Sequence, residues 1–259
     1  MASNRKSALQ RREEVYEADE ATNQPKLQPI SNALKLKLDH LKSFEPLTDN
    51  QRLFFDMYNG GGYFIGMFGS PGVGKTFLAM YKAIEEVLDK GNPFKQLVIV
   101  RSTVQTRDIG FLPGSLEEKQ EIFEMPYKEI STTLFGRTDA WERLKEQGYA
   151  RFISTTAIRG ISIDDAIILV DECQSMTFHE LSTIISRVGH RSKIMFSGDK
   201  FQNDLIKSKN DVSGLGQFQD IARTMRDYQE IMFTPDDIVR SSLVKNWIIA
   251  CAAAGVMPS

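Results

Sequence analysis

Residues 69–76 read Gly69-Ser70-Pro71-Gly72-Val73-Gly74-Lys75-Thr76, an ungapped match to the phosphate-loop pattern GxxxxGK[ST]. The residue types follow from what such a loop does. It wraps backbone N–H groups around a phosphate, which demands unusual backbone angles and close approach, hence the glycines. A helix opening near Lys75 aims the positive end of its dipole at the same phosphates. Lys75 is then placed to reach β- and γ-phosphates, and the Thr76 hydroxyl to ligate Mg2+. At average residue usage a chain this long meets the pattern by chance roughly once in a hundred times. Context makes the match specific: an apolar run at 63–68 enters the loop, and a helical pattern over 75–90 leaves it, closed by Gly91-Asn92-Pro93.

On either side of the loop the same alternation continues. Short apolar or β-branched runs at 97–100, 152–154, 167–170, 193–196 and 230–233 are strand candidates. Helical patterns lie over 115–135, 177–188, 216–227 and 236–253. Another runs from a cap at Thr48 or Asp49 to residue 58, before Gly60-Gly61-Gly62. Strands alternating with helices predict one α/β domain over 36–259, its mainly parallel sheet covered by helices on both faces. Residues 1–35 are polar and mixed in charge, with too little apolar surface to fold alone, and are expected to be a flexible tail.

Composition narrows the function classes. Of 259 residues, 41% are hydrophobic and 25% charged, enough for one sizeable core. A net charge of -2 excludes a histone-like polybasic protein but leaves room for a local basic groove. Cys173 and Cys251 form no CxxC pair, which argues against zinc and suits a reducing compartment. His40, His179 and His190 show no pairing that points to metal or nucleophilic chemistry. With no apolar run of transmembrane length and no hydrophobic leader, the expectation is a cytoplasmic chain without a membrane role.

A nucleotide site needs a second half, and Ile167-Ile168-Leu169-Val170-Asp171-Glu172 offers one: an apolar run ending in two carboxylates. Ligands of open α/β sheets bind at that carboxyl edge. Asp171 can hold Mg2+ opposite Thr76, and Glu172 can polarise the attacking water. Gln174 and Gln202 follow, in Asp171-Glu172-Cys173-Gln174 and Gly198-Asp199-Lys200-Phe201-Gln202. An amide at either place can sense a γ-phosphate or orient water without adding charge. It can equally serve as a buried structural hydrogen-bonding group.

These motifs, in this order, resemble those of superfamily-one helicases and, more closely, the PhoH family of single-domain ATPases. Ile99-Val100-Arg101-Ser102-Thr103-Val104, Gly110-Phe111-Leu112-Pro113-Gly114, Ser213-Gly214-Leu215 and Asp237-Ile238-Val239-Arg240-Ser241-Ser242-Leu243-Val244 carry the likeness further. It covers roughly residues 40–250. It implies a RecA-like P-loop NTPase that hydrolyses ATP with Mg2+. Leu47-Thr48-Asp49-Asn50-Gln51 resembles the helicase Q-motif, which makes Gln51 the candidate reader of the adenine edge; a helix-capping turn would account for the same residues, and the two are compatible. Arg240 resembles the arginine that such ATPases bring to the γ-phosphate, a group worth about 10³–10⁵ in rate. The resemblance leaves open whether it acts in its own subunit or a neighbour's.

A helicase of that superfamily closes two RecA-like domains on ATP, and this chain has room for one. The resemblance therefore implies a homo-oligomeric ring, with a hexamer favoured and ATP between subunits. Some relatives carry a fused ribonuclease domain; the stretch before Leu36 is too short to supply one, so no nuclease activity is expected. Arg101, Thr103, Arg107, Thr155, Thr156 and Arg159 follow strand candidates on the ATP edge and are candidates for gripping single-stranded RNA or DNA. The competing class is an ATP-driven regulator of a protein partner docked at the same edge. A small-molecule kinase also uses a phosphate loop, but the Asp171-Glu172 pair and the Gly-Asp-x-x-Gln series fit hydrolysis better, and no acceptor lid is evident.

Overall fold

Six of the apolar runs become strands: β1 Phe64–Gly69, β2 Gln96–Arg101, β3 Ala150–Ser154, β4 Ala166–Asp171, β5 Lys193–Gly198 and β6 Tyr228–Phe233. They form one sheet in the order β3-β2-β4-β5-β1-β6, parallel at every pairing. The computed structural model describes residues 35–102, 116–199 and 213–254, with side chains in the middle segment from residue 120. Residues 1–34 of the tail expected over 1–35, the 110–114 motif, Thr103, Arg107 and Gln202 lie outside the described residues. By contact the chain divides between Lys35 and Leu36, and the sheet belongs to the second unit.

The inner strands β1, β2, β4 and β5 are buried along most of their length because both faces of the sheet are covered, whereas the edge strand β6 carries Gln229 and Glu230. Ile65, Met67, Leu97, Ile99, Ile167, Leu169 and Met195 point into one core. Their neighbours Phe64, Phe68, Val98, Val100, Ile168, Val170, Ile194 and Phe196 point into the other. Helices α1 Asp49–Asn59, α2 Lys75–Leu88, α3 Leu116–Phe135 and α4 Ala140–Glu146 pack on the first face. The second takes α5 Phe178–Ile185 and α6 Leu215–Ala222. A last helix, α7 Ser242–Ala253, lends Ile248 to the first core. Each fully buried large apolar side chain contributes about 1.5–3 kcal/mol of transfer free energy. No helix among the described residues is long and apolar enough to cross a membrane.

Topology decides where the chemistry sits. Strand β5 lies between β1, which feeds the phosphate loop, and β4, which ends in Asp171. Since all strands run the same way, these three C-terminal ends share one edge.

Several helices differ from the sequence expectation, α5 among them, which ends at Ile185 rather than 188. A single helix over 236–253 does not form. Instead Pro235–Asp237 makes a 3-10 turn and α7 starts at Ser242. The Asp237 carboxylate closes that turn, accepting from the Thr234 backbone N–H at 2.9 Å and from Asn50 Nδ2 at 2.7 Å. Just beyond, the Val239 N–H donates to the Gly72 carbonyl at 3.4 Å, so the segment is laid across the phosphate loop. Helix α6 stops at Ala222 rather than 227. Its N-terminal neighbour Gly214 packs so close to α5 that a Cβ would stand 1.9 Å from the Phe178 nitrogen. Helix α4 was not anticipated; it is short and buries only Ala140, Trp141 and Leu144.

Helices α3 and α4 are joined by a buried charge. Glu124 Oε2 accepts from Trp141 Nε1 and from Lys145 Nζ, both at 2.6 Å, and Oε1 accepts from Gln120 Nε2 at 2.7 Å. Burial alone would raise the Glu124 pKa, but Lys145, Trp141 and Gln120 outweigh it and hold the carboxyl below its ordinary value. A depressed pKa stabilises the fold above the unfolded-state value, and the gain is lost as pH falls through the folded-state value. Glu124→Gln is expected to lower stability by about 1.5–3 kcal/mol at pH 7, the worth of a hydrogen bond to a charged group. Denaturant unfolding should show the gap from the parent narrowing below about pH 4.

Candidate functional site

The phosphate loop begins where β1 runs out of room. At Gly69, with φ at 124°, a Cβ would stand 2.0 Å from the Phe233 carbonyl oxygen of β6. The loop closes at Gly74, left-handed at φ 85°, which is the N-cap of α2. Only glycine takes both positions at low cost. Lys75 Nζ donates to the carbonyls of Gly69 at 3.0 Å and Ser70 at 2.8 Å. Burial pulls its pKa down, while Asp199, Glu172 and Asp171 pull the other way.

Thr76, next on α2, meets the end of β4. Its Oγ1 donates to Asp171 Oδ1 at 2.9 Å. The other carboxylate oxygen, Oδ2, accepts from the Tyr127 hydroxyl of α3 at 3.0 Å. Glu172 follows in the left-handed region, φ 52° and ψ 41°. That conformation is uncommon for a non-glycine residue and often accompanies functional positions. Its Oε2 accepts from Gln174 Nε2 at 2.6 Å, and Gln174 Oε1 accepts from the Asp199 backbone N–H at 3.0 Å. Gln174 thus ties Glu172 to the end of β5. Burial, and then the Asp171 charge, raise the Glu172 pKa above that of an ordinary glutamate.

These groups line one cleft of ≈ 680 Å³, a volume typical of small-molecule sites. Pro71, Gly72, Gly74, Lys75, Thr76, Arg101, Asp171, Glu172 and Arg240 surround its polar part; Phe44, Leu47, Phe77 and Ile130 supply apolar wall, with Gln51 on the lining. Arg240 lies beside the loop: a Cβ on Gly72 would stand 3.2 Å from Arg240 Cγ. Ser70 is buried, and Val73 faces the core rather than the cleft. The Gln51 amide is built into the loop, with Nε2 donating to the Val73 carbonyl at 3.0 Å and Oε1 accepting from the Leu47 N–H at 2.8 Å.

The four nucleic-acid candidates among the described residues do not gather into a single surface. Arg101 turns into the nucleotide cleft, where Tyr127, Asp171 and Glu172 outweigh the effect of burial and raise its pKa. Thr155 is buried, and its hydroxyl donates to Glu180 Oε1 at 2.8 Å. Thr156 is exposed and paired with the Ser154 hydroxyl at 2.8 Å, and Arg159 is exposed. Thr103, Arg107 and Gln202 lie outside the described residues. The sequence reading missed Tyr127 entirely. An aromatic residue inside a helix reads as core, and its partner is 44 residues away.

A parallel sheet covered on both faces, with a phosphate loop after β1 and an acidic pair after β4, defines a P-loop NTPase of RecA-like architecture. The chain belongs to the PhoH family: the model of that family, described as PhoH-like protein, matches residues 43–252. It is 31% identical over 210 residues to the PhoH-like protein of Bacillus subtilis, covering 81% of this chain and 64% of that one. With the PhoH-like protein of Mycobacterium leprae it shares 30% over 220 residues, covering 85% and 61%. The matched region therefore spans less than two thirds of the length of these relatives. Among solved structures, the large terminase of a thermophilic bacteriophage in complex with ADP aligns with a TM-score of 0.42 at 14% identity, covering 78% of this chain and 49% of that one.

Proposed function

We propose that this chain binds ATP with Mg2+ in the cleft, hydrolyses it, and couples turnover to single-stranded RNA or DNA as part of a homo-oligomeric ring. The observation that carries the ATPase reading is the meeting of Thr76 Oγ1 and Asp171 Oδ1 at 2.9 Å, in one cleft with Lys75 and Glu172. Two hard oxygen donors at that spacing fit Mg2+, which keeps several waters and takes one or two protein ligands beside phosphate oxygens. Among the described residues no group of three or more His, Cys, Asp or Glu is placed to hold a metal, and a Mg2+ shared with phosphates needs none. When bound, the ion would neutralise charge on the β- and γ-phosphates.

The residues divide the remaining work. Loop N–H groups and the α2 N-terminus receive the phosphates. Lys75 exchanges the carbonyls of Gly69 and Ser70 for phosphate oxygens of higher charge. Glu172, held by Gln174, orients the attacking water and accepts its proton. Arg240 neutralises charge at the γ-phosphate. Gln51 retains one amide hydrogen and one oxygen lone pair beyond its bonds to Val73 and Leu47, which is what reading an adenine edge requires. The ring follows from the helicase resemblance: one RecA-like domain supplies one wall of an ATP site, and a second copy would supply the other. Light scattering that shows a monomer under all nucleotide conditions would remove that part. A cytoplasmic location fits two buried, unpaired cysteines.

One observation favours a second reading. With Arg101 and Thr155 turned inward, Thr156 and Arg159 are the candidate nucleic-acid contacts displayed by the described residues, which fits a protein-directed ATPase as well. Turnover with and without single-stranded RNA and DNA separates the two. The primary reading expects stimulation that weakens steeply between about 50 and 200 mM salt, by counterion release. Turnover indifferent to both nucleic acids overturns it in favour of a protein partner.

A further inference from the structure

We infer that Tyr127 is a positioning residue for the metal-side carboxylate, through which helix α3 sets the orientation of Asp171. The inference rests on the reading above, in which Thr76 and Asp171 hold Mg2+ with ATP.

Tyr127 is fully buried, its ring packed near Trp141 at 5.9 Å and Phe152 at 6.0 Å between centroids. A buried hydroxyl needs a partner, and any backbone carbonyl would satisfy it. This one gives its hydrogen to Asp171 Oδ2, leaving Oδ1 turned to Thr76. With each oxygen held from a different helix, rotation about the Asp171 Cβ–Cγ bond is blocked. The carboxylate plane is therefore fixed, with one oxygen turned toward Thr76.

Arg101 extends the same clamp. It neighbours Asp171 in the β2–β4 register and lies 5.9 Å over the Phe123 ring of α3. Helix α3 thus grips both the carboxylate and the arginine beside it. A partner that orients a metal ligand without touching the metal commonly contributes about 10–100-fold in metal affinity.

The test is Tyr127→Phe in the full chain, which removes one oxygen and keeps the ring. Binding of a fluorescent ATP analogue is titrated with Mg2+, and separately measured in EDTA. The expected result is a fall of about 10–100-fold in apparent Mg2+ affinity, with nucleotide affinity in EDTA unchanged. On an Asp171→Asn background the same substitution should cause no further loss, because the hydroxyl acts only through that carboxylate. Unchanged Mg2+ affinity, an equal loss in EDTA, or full additivity with Asp171→Asn would each overturn the inference and leave Tyr127 a packing residue. If the parent protein binds the analogue with no Mg2+ dependence, the metal reading itself fails, an outcome distinct from the others.

Discussion

Glu172→Gln is expected to lower ATP turnover by about 10²–10⁴-fold while leaving ATP bound, the usual worth of a general base. Glutamine keeps the size and hydrogen-bonding reach of the side chain and removes only its capacity to take a proton. The local fold should survive, because the left-handed turn at Glu172 is closed by backbone bonds from Ser175 to Glu172 and from Met176 to Cys173. The Gln174 amide can still donate to the new carbonyl oxygen. Single-turnover phosphate release beside equilibrium ATP binding checks this. A variant that loses binding and turnover together would place Glu172 in substrate binding instead.

Arg240→Ala carries the other large expectation: a loss of about 10³–10⁵ in turnover, or roughly 4–7 kcal/mol of transition-state stabilisation. The side chain lines the cleft of its own chain and packs beside Gly72. The backbone just before it is held to the loop by the Val239–Gly72 hydrogen bond. Arg240→Lys should rescue little, since a compact ammonium cannot reproduce the planar fork. The place of Arg240 on the cleft of its own chain predicts the outcome of mixing two inactive variants. Mixing Arg240→Ala subunits with Lys75→Ala subunits should restore no turnover, because every cleft would still lack one group. Recovery on mixing would show that Arg240 serves a neighbour's cleft.

The sheet was legible in the sequence because strands buried on both faces leave unbroken apolar runs. Ile167, Ile168, Leu169 and Val170 could hardly be anything else before two carboxylates. The phosphate loop was legible because its glycines and Lys75 are local requirements of one function. What escaped depends on partners distant in sequence. Nothing near Asp236 announces that Asn50 will bond Asp237 from across the fold and stop a helix there. Arg101 reads as a surface cation at a strand end, and only packing of α3 over β2 turns it into the cleft. The Gln51 amide reads as an adenine contact or part of a capping turn, whereas the structure also uses it to hold the Val73 carbonyl of the phosphate loop. Helix α4 escaped because seven residues with three inward side chains carry too little periodicity to stand out.

Phosphate release from Mg·ATP by the parent chain, measured beside Lys75→Ala, tests the central claim most directly. The account predicts steady turnover by the parent, and in the variant loss of both turnover and Mg·ATP binding. Equal turnover or equal binding in the two proteins would contradict it, because the cleft built by Lys75, Thr76, Asp171 and Glu172 would then not be where ATP is held.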